Sequence, residues 1–195
     1  MDQFVMDRAR ILALLNHLYM LGMLVVISGI LTAAMVMQYV YGELPCPLCL
    51  LQRVALFGVA FGLLQNLRGE FSDRNTGFSI LFAMLLLIVA ERQSLLDIYT
   101  RPGHQYVGTA VFGLHMPVWS IAIALCLLIA FGLKLVIFGG SAHMRGNDAA
   151  TFPLVHRAGI ALGTYVIVIC AINFVSVIVQ CGLGQCHTEG YALLR

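Results

Sequence analysis

The sequence predicts an all-α polytopic membrane bundle: a four-helix core plus a fifth transmembrane helix. Three observations carry that prediction. Of 195 residues, 61% are hydrophobic and only 10% are charged, where an ordinary soluble domain carries about 25% charged residues. Mean hydropathy is +0.93. Five apolar stretches approach or exceed the roughly 20 residues needed to cross a hydrocarbon core. With so little charge, lipid must solvate much of the surface, and lipid tolerates only a backbone bonded to itself, as in helices. The net charge of +2, without a basic run, gives no footing for nucleic acid. No internal repeat or low-complexity segment divides the chain, so residues 1–195 read as a single membrane domain.

The predicted spans are 12–39, 50–67, 77–96, 118–138 and 158–179. The first is too long for a signal-peptide core of about 7–15 residues, and it reads as an uncleaved helix. Pro45 before Cys46 argues against a lipidation site there. The second and third spans carry Arg53, Gln65, Glu91 and Arg92 at or near their ends. Between spans three and four lies a Gly-rich connector whose apolar part, 106–114, is expected to run along the interface, with Tyr106 and Trp119 as belt residues. A plain connector is the competing reading. A cytoplasmic N-terminus places Arg8, Arg10, Arg68, Arg74, Lys134, Arg145 and Arg157 inside and Arg53, Arg92, Arg101 and Arg195 outside, as the positive-inside rule prefers. Five spans then put the first connector, the third connector and the C-terminal tail on one face.

The six cysteines divide into three kinds. Cys46 and Cys49 form a C-x-x-C at the outer mouth of span two, where a small-ring disulfide can open and close. Pro47 suits the first turn of a helix. Cys49 then sits at the positive end of the helix dipole, which favours thiolate, with Arg53 one turn further on the same face. Half of a zinc site and a static staple are the alternatives. Cys181 and Cys186 follow span five, on the same face by parity. Gly182 and Gly184 allow the turn that would join them. This second pair is either a thiol–disulfide relay partner or a structural disulfide, and His187 beside it raises a weaker copper or zinc reading. Cys126 and Cys170, deep in spans four and five, are expected to pack as small hydrophobes.

Ionisable groups at membrane depth usually mark function. Arg53 with Glu91, Arg92 and Gln93, and with Gln52 beside it, is expected to converge beneath the C-x-x-C. Such donors would suit the carbonyl oxygens of a quinone and the negative charge it gains on reduction. Snorkelling to the headgroups is the bland alternative. The histidines, at 17, 104, 115, 143, 156 and 187, offer no pair matched in depth for haem.

These residues carry a family resemblance. Glu43-Leu44-Pro45-Cys46-Pro47-Leu48-Cys49-Leu50-Leu51-Gln52-Arg53-Val54-Ala55-Leu56-Phe57 resembles the first outer loop and second helix of the DsbB family. Members of that family are bacterial inner-membrane quinone reductases that reoxidise a periplasmic thioredoxin-like dithiol oxidase. Gly113-Leu114-His115-Met116-Pro117-Val118-Trp119 is similar to the segment entering the family's fourth helix. The likeness covers roughly 10–138, and the C-x-x-C followed four residues later by Arg is its specific part. It implies that Cys46 and Cys49 reduce quinone, ubiquinone or menaquinone, with Cys49 facing the ring and Arg53 contacting it. Where the family carries a histidine near the ring, this chain offers Arg92 and Gln93. Better-known members have four helices and a second cysteine pair between helices three and four. Here 99–117 holds no cysteine, and a fifth span ending in Cys181 and Cys186 is added.

The leading expectation is therefore a dithiol:quinone oxidoreductase drawing on the membrane quinone pool, with Cys46, Cys49, Cys181 and Cys186 as its redox residues and no resident metal. The alternatives are a non-catalytic membrane subunit with structural disulfides and a Cys/His metal-handling membrane protein.

Overall fold

The computed structural model describes residues 2–69, 71–98, 110–139, 151–182, 184, 191 and 193. Five helices follow in chain order: α1 (Asp2–Tyr39), α2 (Pro47–Arg68), α3 (Asp73–Ile98), α4 (Met116–Phe138) and α5 (Pro153–Cys181). All five are long and apolar enough to cross a membrane. The expected all-α architecture holds, and the only β pairing among the described residues is an isolated bridge between Val111 and Leu114. At 38 residues α1 is roughly 57 Å long, well beyond a hydrocarbon core of about 30 Å.

Prolines set three of the helix starts. Pro47, Pro117 and Pro153 each lie in a first turn, where a missing N–H costs nothing. Gly42, at φ 69°, turns the chain out of α1 and delivers it to α2.

Helix α2 is the hub. It packs most extensively on α3, α3 in turn on α4, while α1 and α5 pair with each other and with α2. Small residues permit these approaches, as expected where lipid competes with apolar packing. A Cβ on Gly58 would collide with the Phe82 ring, and one on Gly62 would meet the Ser79 hydroxyl and lie 2.7 Å from the Asn75 carbonyl oxygen. Polar cross-links add to the packing: Ser79 Oγ donates to the Val59 carbonyl (3.1 Å), Tyr19 OH to the Ala130 carbonyl (3.0 Å), and Tyr39 and Ser176 share a hydrogen bond between α1 and α5.

Several expectations are corrected here. Cys126 and Cys170 face outward rather than into the core; a free thiol is apolar enough to face hydrocarbon. Lys134, counted among the water-facing inner charges, is buried between helices and donates to Thr76 Oγ1 at 2.8 Å. The interfacial segment at 106–114 is described only from 110 onward. There the chain makes a two-residue turn, with Val111 and Leu114 bonded reciprocally across Phe112 (φ 52°) and Gly113 (φ 77°). Trp119 Nε1 donates to the Val111 carbonyl at 3.0 Å, which ties the indole to that turn.

Candidate functional site

The site lies at the end of the bundle where α1 stops and α2 begins. Cys46 and Cys49 form a disulfide with Cα atoms 5.0 Å apart, within the usual range for the bond. Cys46 is also the N-cap of α2: its sulfur accepts the Cys49 N–H at 3.1 Å, and its carbonyl accepts from Leu50 N at 3.0 Å. Cys49 therefore occupies the first turn, among backbone N–H groups that favour negative charge. From the far side, Gln180 Nε2 at the end of α5 donates to the Pro45 carbonyl at 2.8 Å. That bond clasps the residue preceding Cys46.

Arg53 is buried and draws three helices together. Its Nη1 donates to Gln38 Oε1 of α1 (2.6 Å) and Asn173 Oδ1 of α5 (3.1 Å), and its Nη2 to the Ala34 carbonyl (3.0 Å). Charge-assisted bonds of this kind replace the water that a guanidinium would otherwise need. The expected reach of Arg53 to the Cys49 sulfur is not what forms; its bonds run toward α1 and α5 instead.

The sulfur's polar neighbour is Gln93. Its Nε2 lies 3.5 Å from Cys49 Sγ, while its Oε1 accepts from Gln52 Nε2 at 2.9 Å. Gln52 Oε1 accepts in turn from Ser120 Oγ of α4 at 2.9 Å. Gln52 and Gln93 are both buried.

In front of this wall lies a cavity of about 280 Å³ lined by Cys49, Gln52, Arg53, Ser120, Trp119 and Glu43, among mostly aliphatic neighbours from the first four helices and the turn before α2. Apolar walls with a few convergent polar groups are what a small-molecule site usually presents.

Of the predicted site residues, Cys46, Cys49 and Arg53 come together, and Cys49 and Arg53 share the cavity wall. Gln93 joins them from behind the sulfur and does not line the cavity. Arg92 does not join. It is exposed and lines a separate shallow surface hollow with Glu91, because adjacent helical residues point about 100° apart. Cys181 is buried and disulfide-bonded; Cys186 and His187 lie outside the described residues, as do His104 and His143. Among the described residues no group of three His, Cys, Asp or Glu is arranged to hold a metal. His17 is buried near the opposite end, where it packs on Phe71 and Phe152. Sequence reasoning missed Gln38, Ser120, Asn173 and Gln180. Each is a neutral polar residue at or near the end of an apolar helix, a signal as readable as an intramembrane charge had amides been weighed with it.

Residues 16–103 match the family model of DsbB, disulfide bond formation protein DsbB. A disulfide bond formation protein B from Chromohalobacter salexigens is 44% identical over 64 residues, covering 30% of this chain and 37% of the relative. The chain thus aligns with little more than a third of that relative's length. No solved structure matches. The matched region holds α2, α3 and most of α1, and with them the C-x-x-C, the arginine and both glutamines. Over residues 16–103 the chain is thus similar to the DsbB family, and its five described helices are each long and apolar enough to cross a membrane.

Proposed function

We propose that this protein is a membrane dithiol:quinone oxidoreductase. In this reading it reoxidises a periplasmic thioredoxin-like thiol oxidase and passes the electrons to quinone, from a bacterial inner membrane with its N-terminus in the cytoplasm and its C-terminus in the periplasm. One observation carries the reading: the Cys46–Cys49 disulfide ends on the wall of an apolar cavity that also holds a buried guanidinium. The residues present suit a quinone headgroup, ubiquinone or menaquinone. Aliphatic walls accept a flat ring. Gln52 and Ser120 offer polar atoms, and Arg53 keeps its Nε–H and one Nη2–H beyond the bonds it makes to α1 and α5. When bound, quinone supplies a two-electron, two-proton acceptor as the Cys46/Cys49 dithiol closes to a disulfide. Exchange with the partner conserves electrons: its dithiol becomes a disulfide while a disulfide of this chain becomes a dithiol.

The tail pair takes the place of the family's second loop pair in this proposal. Electrons enter at Cys181/Cys186 and move by exchange to Cys46/Cys49. The Gln180–Pro45 bond supports the relay, since it holds the residue before Cys181 against the residue before Cys46. Thiol trapping of the cysteines in membranes, with and without quinone, tests the core of the reading. Cys46/Cys49 should be reduced when quinone is depleted and oxidised when it is restored; a disulfide state indifferent to quinone rejects the activity. Changing Cys181 and Cys186 to Ala should stop partner oxidation and spare quinone reduction by a small dithiol. Unchanged partner oxidation would reject the relay alone.

A further inference from the structure

We propose that Gln93 serves the Cys49 sulfur rather than the quinone: a positioned donor that stabilises the thiolate, held in that orientation by Gln52 and Ser120. The inference rests on the reading above and assigns this side chain a role in it.

The orientation follows from the bonding order. Gln52 Nε2 donates to Gln93 Oε1 (2.9 Å), so the carbonyl half of Gln93 is occupied; that oxygen lies 3.9 Å from Cys49 Sγ, and the NH₂ half is the nearer, at 3.5 Å. Gln52 is turned the same way because Ser120 Oγ donates to its Oε1 at 2.9 Å. With the Ser120 proton on Gln52, the shorter of its two contacts (2.9 Å against 3.2 Å to the Met116 carbonyl), the bonds of the row Ser120, Gln52, Gln93 run toward the sulfur, and aligned bonds of this kind polarise one another where little water competes. A disulfide sulfur accepts weakly, whereas a thiolate accepts strongly. The contact thus strengthens when the bond opens, so it favours the reactive state over the resting one.

Arg53 directs its hydrogen bonds to Gln38, Asn173 and the Ala34 carbonyl, and none of them reaches the sulfur. The other charged group on the cavity wall is Glu43, from the turn after α1. Helix α3 turns Glu91 and Arg92 away, and α4 presents Met116, Trp119, Ser120 and Ile123, none of them charged. The amide is the donor on the sulfur.

The test uses the full chain in detergent, carrying Cys46→Ser so that Cys49 is a lone thiol and the N-cap oxygen is preserved. Iodoacetamide labelling of Cys49 is followed against pH by peptide mass spectrometry. Gln93→Leu should lower the labelling rate at pH 7 about tenfold, the scale of one hydrogen bond to a charged group, and move the pH profile upward. Gln93→Glu, nearly isosteric, should do more, because a carboxylate replaces the donor. Ser120→Ala, remote from the sulfur, should shift the profile the same way by less, and it remains informative if a Gln93 variant fails to fold. Profiles that coincide with the parent's in Gln93→Glu and Ser120→Ala overturn the proposal. No quinone enters the measurement, so absence of quinone reduction would defeat the function while leaving this assignment standing, and the reverse also holds.

Discussion

The two ends of the bundle bury polar side chains equally well, yet they differ in what those side chains face. At the C-x-x-C end, Arg53 is 8% exposed; toward the opposite end, Lys134 is 5% exposed. Both cations sit inside a membrane helix, and a rule that reads intramembrane charge as function would select both. Their surroundings separate them. Lys134 donates to Thr76 Oγ1, which also accepts from Asn66 Nδ2 at 3.1 Å, while Asn66 Oδ1 accepts from Ser72 N at 3.0 Å. That cluster ties α2, α3 and α4 together and borders neither of the described hollows. Arg53 also ties three helices, but one side of it faces a cavity that the disulfide-bonded Cys49 shares. Burial of charge identifies a strut; burial beside an aperture and a nucleophile identifies a site.

Substitutions can break that contrast. The largest effect is expected from Arg53→Met, which strands Gln38 and Asn173 without their donor and removes the one cation that lines the cavity among the described residues. Quinone reduction by a small dithiol should fall about a hundredfold or more, the scale of losing one charge-stabilising donor in a closed site. Next is Asn173→Ala, where the guanidinium keeps α1 but loses α5. A loss of about tenfold is expected, in line with one charged hydrogen bond, and a null result would make α5 dispensable for holding the arginine. Lys134→Met should leave the turnover rate within about twofold while shifting thermal stability by about 1–3 kcal/mol in either direction, because buried ions and apolar isosteres are closely matched. If its turnover falls as far as that of Arg53→Met, the contrast between the two ends is wrong. Smallest of all, Cys126→Ala and Cys170→Ala should change stability by under about 0.5 kcal/mol and leave activity alone, as outward-facing thiols remote from the cavity. Scanning calorimetry and a quinone-absorbance assay on the same preparations check all four.

Much of this was legible in the chain. Five long apolar stretches fix five helices because lipid leaves the backbone no other option. Their ends were harder to place. Hydropathy reads how much of a helix lies in hydrocarbon, whereas hydrogen bonding carried α1 back to Asp2 and α5 back to Pro153. Cys46, Cys49 and Arg53 declared themselves by spacing. Choosing between Arg92 and Gln93 required the rotation of α3 about its axis, which is set by packing against Gly58 and Gly62. A stripe of inward positions, Ser79, Ala83, Leu86, Ala90 and Gln93, repeats at helical spacing and contains the answer. The bonds of Asn173 and Gln180 to α2 and to the turn before it could not be read at all, since they depend on where a fifth helix docks, and neither parity nor composition specifies that.

The double duty of Cys46 has a lasting consequence. Its sulfur is at once half of the breakable bond and the acceptor that finishes the start of α2. Sulfur keeps lone pairs whether it is joined to another sulfur, to a proton or to nothing, so in the proposed cycle the helix would stay capped at every stage. Bond and cap fall on one atom, and opening the first need not undo the second.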